Sequence, residues 1–319
     1  MMTISYGIVS TASIVPRFVA GIRASKEGSV AAIASRELAK AQKVATELHI
    51  PKAYGSYAEM FADPAIDIIY IATYNKGHFE TAKQALEAGK PVLLEKPFTL
   101  SAADAKELFT LAKEKQLFLM EAQKAVFLPI TLAVKKAIAT GKIGEVKLMR
   151  SLTSYPNIGH VKWFPSLEAG GGTLHGSGSY PLHYMHYITD ENYQNVIGNA
   201  VMPKGRSDQQ SDLSLKFGAT ILANIFITTE FGTDNGMTIY GTKGRIEIPN
   251  FWKTQVASIF TNEGREDLHI PFISEFAFEV DHVNECLKQG LLTSPIMTPA
   301  LTIETVALVE NQYQKWLDE

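Results

Sequence analysis

The sequence predicts an α/β protein of two domains: a parallel sheet covered by helices over 1–121, then an α+β domain with a large, mostly antiparallel sheet over 122–319. Three observations predict it. Short apolar runs alternate with segments of helical period through the first 120 residues, as in a parallel sheet buried on both faces. Beyond 122 that alternation stops, and β-rich runs with Gly-containing turns fill about 195–270. A length of 319 residues, at roughly 150 per domain, points to two domains.

The first strand is the apolar run 4–9, and 14–24 follows with Ile14, Phe18 and Ile22 at helical spacing. A strand over 30–34 precedes a helix rich in Ala, Lys and Glu over 37–48. A short helix over 57–62 ends at Asp63-Pro64, and a strand spans 67–72. The helix over 79–88 closes on Gly89, because glycine accepts the left-handed cap conformation. A strand over 92–94 leads to a helix over 102–115 capped by Ser101, and the last strand of this domain is 117–120. In the second domain 129–140 is helical and a strand begins over 144–153. Strands follow at 213–217, 220–229, 237–240 and 245–248, with hairpin turns at Gly218-Ala219 and Thr242-Lys243-Gly244. Helices over 275–289 and 300–316 come last. The run 221–227 is apolar on both faces apart from Asn224, so one face packs on helices and the other is an association surface.

Composition narrows the function. A net charge of −3 with scattered Lys and Arg lacks the basic stripe that nucleic-acid binding requires. The longest apolar runs, such as 66–72, are too short to span a bilayer, so no membrane partner is expected. The opening apolar stretch has no basic flank and is broken by Ser10, Thr11, Ser13 and Pro16, which reads as strand and turn rather than signal peptide. Cys286 is the only cysteine, which excludes an intrachain disulfide and fits a reducing cytoplasm.

Chemistry concentrates at strand ends. After the first strand comes Gly7-Ile-Val-Ser10-Thr11-Ala12-Ser13-Ile14-Val15, where a dinucleotide-binding turn has Gly-x-Gly-x-x-Gly/Ala. Ser10 and Ala12 are small enough to keep the backbone close to a pyrophosphate, and Pro16 suits a first helical turn. Residues Ser10 to Ile14 are therefore candidate cofactor contacts. The second strand ends at Ser35-Arg36, where an NAD-preferring fold carries a carboxylate for the ribose 2′-hydroxyl. A hydroxyl and a guanidinium suit a 2′-phosphate, so NADP is the expected cofactor and NAD the alternative. The plain alternative for Arg36 is a solvated side chain in a helix's first turn. Thr73, Asn75 and His78 lie just past the 67–72 strand, at the cofactor edge, with Asn75 as a turn residue and His78 as a helix cap the competing reading.

Glu95-Lys96-Pro97 follows the apolar run 92–94, so a lone cation is delivered at the carboxyl end of a buried strand, and Glu95 and Lys96 are candidate cofactor contacts there. Ligands of α/β sheets bind outside those ends. Farther along, Gly170-Gly-Gly-Thr-Leu-His175 leads into Gly-Ser-Gly-Ser-Tyr180-Pro-Leu-His183-Tyr-Met-His186. The glycines let a backbone crowd a ligand, and Tyr180 and His183 share a helix face. Three histidines invite a metal, but carboxylates are sparse around them and none is expected. His186 is read as a packed or partly exposed helix residue.

These features in this order resemble the Gfo/Idh/MocA family of NAD(P)-dependent oxidoreductases over essentially the whole chain. The resemblance rests on residues 7–15, Asn75 and His78, Glu95-Lys96-Pro97, Glu121-Ala122, and 170–180. It implies a Rossmann domain followed by a domain whose open sheet forms a dimer interface, hence a homodimer or a dimer of dimers. It also implies a catalytic Lys96 and a cis Lys96–Pro97 peptide. Many members carry Asp where this chain has Gly176, and His or Tyr where it has Tyr180. That pairing is similar to the dihydrodiol-dehydrogenase-like branch, in which a Lys and a Tyr work together.

The expected activity is reversible hydride transfer between NADP and a carbinol carbon of a small molecule, a sugar, polyol or diol. Tyr180 is the expected acid/base, its acidity raised by Lys96, with His183 in reserve and His175 as a nearby polar group. The alternative from another class is a non-catalytic NADP-binding sensor. Glycoside cleavage through a redox relay, a third reading open to the family, has no residue of its own here.

Overall fold

The computed structural model describes residues 3–318 and divides the chain into two units. One gathers the chain up to Gln123 with Ile273–Val306; the other holds Lys124–Phe272 and the chain from Ala307. A single boundary between 121 and 122 therefore becomes a discontinuous division. Side-chain pairing explains the return of 273–306 to the first unit. Phe276 meets the Phe18 ring edge-on at 5.7 Å, and the Tyr6 hydroxyl donates to Asn284 at 2.7 Å.

The first unit runs β1 (Ile4–Val9), α1 (Val15–Ala24), β2 (Gly28–Ala34), α2 (Leu38–Glu47), β3 (Lys52–Tyr54), α3 (Tyr57–Phe61), β4 (Ile68–Ile71), α4 (His78–Glu87), β5 (Val92–Leu94), α5 (Ala102–Glu114) and β6 (Leu119–Glu121). Its six strands are parallel and ordered β3-β2-β1-β4-β5-β6. The order reverses between β1 and β4, which is where doubly wound sheets open a crevice for a ligand. β4 and β5 are buried along their whole length, and Phe18 of α1 stacks on Tyr70 at 3.5 Å. Ser101 caps α5 by accepting from Ala103 N at 3.1 Å, a cap of about 1 kcal/mol. Gly89 ends α4 at φ +81°. β3 has no counterpart in the sequence reading, because three residues starting on an exposed lysine carry no apolar run; pairing with β2 creates it.

The second unit holds α6 (Pro129–Ala139), β7 (Val146–Ser154), α7 (Thr173–Ser177), α8 (Ser179–Thr189), β8 (Tyr193–Val201), β9 (Gln210–Phe217), β10 (Ile221–Thr228), β11 (Gly236–Gly241), β12 (Gly244–Pro249), β13 (Val256–Thr261) and β14 (Gly264–His269). The sheet order is β14-β13-β12-β11-β7-β10-β9-β8, antiparallel throughout except for the β7–β10 pair. Both hairpin turns occur where the glycines predict them. Along β10 Ile221, Ala223, Ile225 and Ile227 are buried, while Leu222 on the opposite face stays 60% exposed. α9 (Ala277–Lys288) belongs to the first unit, and α10 (Pro299–Asp318) starts there and ends in the second. Among the described residues no helix is long and apolar enough to cross a membrane.

Candidate active site

The turn after β1 bends sharply at Ser10. Ser10 adopts φ +89°, a left-handed conformation that costs a non-glycine residue about 1–3 kcal/mol. Two hydrogen bonds hold it there: Ser10 N donates to Ala34 O at 2.9 Å, and the Ser10 hydroxyl accepts from Ala12 N at 3.0 Å. Thr11, Ala12 and Ile14 are half-buried and Ser13 is exposed. No side chain caps α1, and Pro16 sits in its first turn. Val15 N and Arg17 N already donate to Ala12 O and Ile14 O and Pro16 has no N–H, so the helix dipole rather than free first-turn amides favours an anion at this end. These residues fit a pyrophosphate.

Ser35 and Arg36 close β2. Ser35 is buried, donates from its N–H to Tyr54 O at 3.2 Å, and accepts on its hydroxyl from Glu37 N at 3.4 Å. Arg36 is exposed and precedes α2 altogether, so it is not a first-turn residue of that helix. Burial pushes the Tyr57 phenol up, and the Arg36 charge offsets part of that. Beyond β4, the Thr73 hydroxyl is shielded from solvent with no hydrogen-bond partner among the described residues, an orphan suited to a bound polar group. Asn75 is buried and opens a 3-10 turn over Asn75–Gly77. His78 is spent on the protein itself. Its Nδ1 lies 2.8 Å from Pro97 O and its Nε2 3.1 Å from Thr73 O, which ties the β4–α4 turn to the loop after β5. Burial lowers the His78 pKa, against the pull of those carbonyls.

Lys96 lies in that loop, half-buried, and the Lys96–Pro97 peptide is cis. Glu95 is clamped beside it: Tyr70 donates to its Oε1 at 2.8 Å and Lys96 N to its Oε2 at 3.1 Å. Glu121, opposite Leu94 on β6, accepts from the Thr302 hydroxyl at 2.9 Å. Burial lowers the Lys96 pKa, while Glu95 and Glu121 pull it back up. Burial raises the Glu121 carboxyl to about 8, with the Glu95 charge adding to the rise. Lys96 thus feels the charges of Glu95 and Glu121 against its own burial, and its charge in turn opposes the rise at Glu121.

In the second unit the glycine run crowds the protein rather than a ligand. A Cβ on Gly171 would run into Phe164 O, and Gly172, at φ +107°, brings the chain against Asp208. Asp208 is buried and receives Thr173 N at 3.0 Å, Leu174 N at 3.1 Å, the Thr173 hydroxyl, and the Tyr313 hydroxyl at 2.5 Å. Burial raises its pKa, and these donors oppose the rise. His175 stacks on Tyr313 at 4.1 Å with its Nδ1 3.1 Å from Gly171 O, and burial holds its pKa near 4. It is a packed neutral ring, which explains why it brings no charge to the site.

That framework orients α8. Tyr180 is half-buried, and Lys124 donates from Nζ to its hydroxyl at 2.6 Å. His183 is fully buried, its pKa driven to about 3 by burial with His186 adding to the effect. A base that weak and that enclosed is a poor proton carrier beside Tyr180. His186 is half-buried with its Nδ1 3.1 Å from Glu191 O. Among the described residues no three His, Cys, Asp or Glu side chains gather as a metal site. Sequence reasoning missed Lys124 and Asp208. Lys124 had a signal, a lone cation in the apolar stretch 117–130, whereas Asp208 had none because Tyr313 and Thr173 reach it from distant segments.

A model of the oxidoreductase family with an NAD-binding Rossmann fold, Gfo/Idh/MocA, matches residues 4–123, and the model of its C-terminal domain matches residues 131–247. The chain belongs to the Gfo/Idh/MocA family. It is therefore an oxidoreductase built on a nicotinamide-dinucleotide fold. Its relatives include the trans-1,2-dihydrobenzene-1,2-diol dehydrogenase of Xenopus laevis, 32% identical over 94% of both chains. The mouse protein of that name is 29% identical over 98% of this chain and 97% of its own. Among solved structures, a 3-ketoreductase from Actinomadura kijaniata with NADP and TDP-benzene superposes with a TM-score of 0.86 at 22% identity, over 97% of this chain and 96% of that one. The aldose-aldose oxidoreductase from Caulobacter crescentus, complexed with glycerol, gives 0.86 at 21% identity over 99% and 98%. Both share the fold seen here.

Proposed function

We propose that this protein is an NADP-dependent dehydrogenase acting on the carbinol carbon of a diol or sugar. One observation carries the reading: Lys96, half-buried at the carboxyl end of β5, is flanked by the electrostatics of Glu95 and Glu121. A ligand-binding module has no need to tune an ammonium in this way, whereas alcohol oxidation needs a donor where negative charge develops on oxygen. The diol dehydrogenases among its relatives support the substrate class, and NADP in the 3-ketoreductase structure supports the cofactor.

In this reading Ser10 to Ile14 and the amino end of α1 hold the pyrophosphate, and Ser35 and Arg36 hold the 2′-phosphate. Thr73 and Asn75 line the same edge, while His78 and Glu95 position the loops. Lys96 donates to the substrate oxygen, and Tyr180 takes the hydroxyl proton. A bound dinucleotide would supply the hydride acceptor or donor. Orientation of the carbinol carbon contributes much of the acceleration.

The test is reduction of NADP and NAD by purified protein with a panel of diols and sugars. NADP is expected to be preferred. Arg36→Ala should raise the KM for NADP roughly tenfold or more, the worth of a charge-assisted contact, and leave that for NAD unchanged. Tight NADP binding without turnover across the panel would instead support the sensor. The proposal includes a homodimer through the open sheet face around Leu222. Sedimentation equilibrium should give twice the chain mass, with Leu222→Asp monomeric; a monomeric wild type would end this part.

A further inference from the structure

We propose that Lys124 is a positioning residue that sets the acidity of the Tyr180 phenol. The proposal rests on Tyr180 handling the proton, and it supplies the group that makes a tyrosine fit for that task. A phenol ionises near pH 10 in water, so an unaided tyrosine is protonated at neutral pH and cannot accept a proton. An ammonium within hydrogen-bond reach favours the phenolate.

Three observations place that ammonium on Lys124. Its Nζ donates to Tyr180 Oη at 2.6 Å. The same nitrogen lies 4.7 Å from the centre of the Tyr180 ring, so the cation faces both the oxygen and the π surface. Lys124 is only 4% exposed, which limits screening by water on the lysine side of the pair. The side chain is also held. Lys124 begins a buried 3-10 turn over Lys124–Phe127 that packs against α6 and α8, and the Thr131 hydroxyl of α6 donates to Ala125 O at 2.7 Å.

Other titratable groups around α8 do not supply this charge. On α8 itself, His183 is held neutral by burial and Tyr184 is pushed up by burial; His186 turns to Glu191 O. Tyr187, also raised by burial, lies near Asp190 at the far end of the helix. On α7, His175 is neutral. On α6, Lys135 is engaged by Tyr187 O and Asp190, and Lys136 lies on the solvent side.

During oxidation the substrate O–H bond breaks and its proton passes to Tyr180 Oη; the C–H electron pair would leave as hydride, for which a bound nicotinamide dinucleotide would be the acceptor. Lys124 keeps all its protons and stabilises the phenolate before transfer. Reduction reverses each step. Lys96 is then left to the substrate oxygen, so the two lysines divide the work.

The experiment is a ¹³C NMR titration of the full-length protein labelled at tyrosine, with the Tyr180 signal assigned by its loss in Tyr180→Phe. Lys124→Met and Lys124→Gln, the second keeping a donor without charge, are each expected to raise the Tyr180 titration by about 1–3 units. The limb of the kcat/KM profile that follows this ionisation should move with it, and Lys124→Arg should restore it. Thermal melting establishes that each variant is folded. A Tyr180 titration unmoved in both uncharged variants, or moved only by Lys96→Met, overturns the proposal. If Tyr180→Phe turns over like wild type while Lys124→Met still shifts the titration, the proton role of Tyr180 fails and the assignment of Lys124 stands.

Discussion

Lys96→Met is expected to lower kcat by about 10²–10³-fold, the loss typical of removing one preorganised donor from a developing oxyanion. Methionine keeps the length of the side chain but removes its charge and its donors. The cofactor contacts proposed at Ser10 to Ile14 and at Ser35 and Arg36 are untouched, so NADPH affinity measured by fluorescence should change by no more than a few-fold. Loss of turnover with binding retained would be the signature of a group needed in the transition state rather than the ground state. Turnover close to wild type with a true substrate would remove the central role given to Lys96.

Tyr180→Phe should lower kcat by about 10²–10⁴-fold, the range for loss of a positioned acid/base. The ring and its packing survive, so folding should be unaffected and the loss should fall on proton transfer. The check is kcat across pH together with a solvent isotope effect. Intact activity would move the proton elsewhere, and the structure makes the reserve candidates costly. His183 is fully enclosed with a pKa near 3, and His175 is stacked on Tyr313 with its Nδ1 against Gly171 O. Either would have to leave a packed site before it could carry a proton.

The candidate residues that were legible in the sequence are those at strand ends. A lone lysine after a buried strand, a small-residue turn after the first strand, and a guanidinium where a carboxylate is usual are local signals. Lys96, Ser10 and Arg36 were singled out that way. Lys124 carries the same kind of signal, a single cation in an apolar stretch, yet its meaning depends on Tyr180, which another helix brings to 2.6 Å. The glycines at 170–172 were read as room for a ligand because sequence shows only that space is needed. The structure shows what fills it: Phe164 O and Asp208. His78 looked like a cofactor contact for a similar reason, since a polar residue past a strand gives no sign of which carbonyls it will meet.

Periodicity and breakers along the chain determined the alternating strands and helices, the change of regime near residue 122, the hairpin turns and the placement of the candidate residues at strand ends, because each is set by neighbours a few residues apart. Tertiary structure alone decided the pairing that makes β3, the parallel β7–β10 contact inside an antiparallel sheet, the return of 273–306 to the first unit, and the partners of Asp208 and Tyr180. Those outcomes depend on which distant side chains bury and neutralise one another, and burial is a property of the folded surface rather than of any stretch of chain.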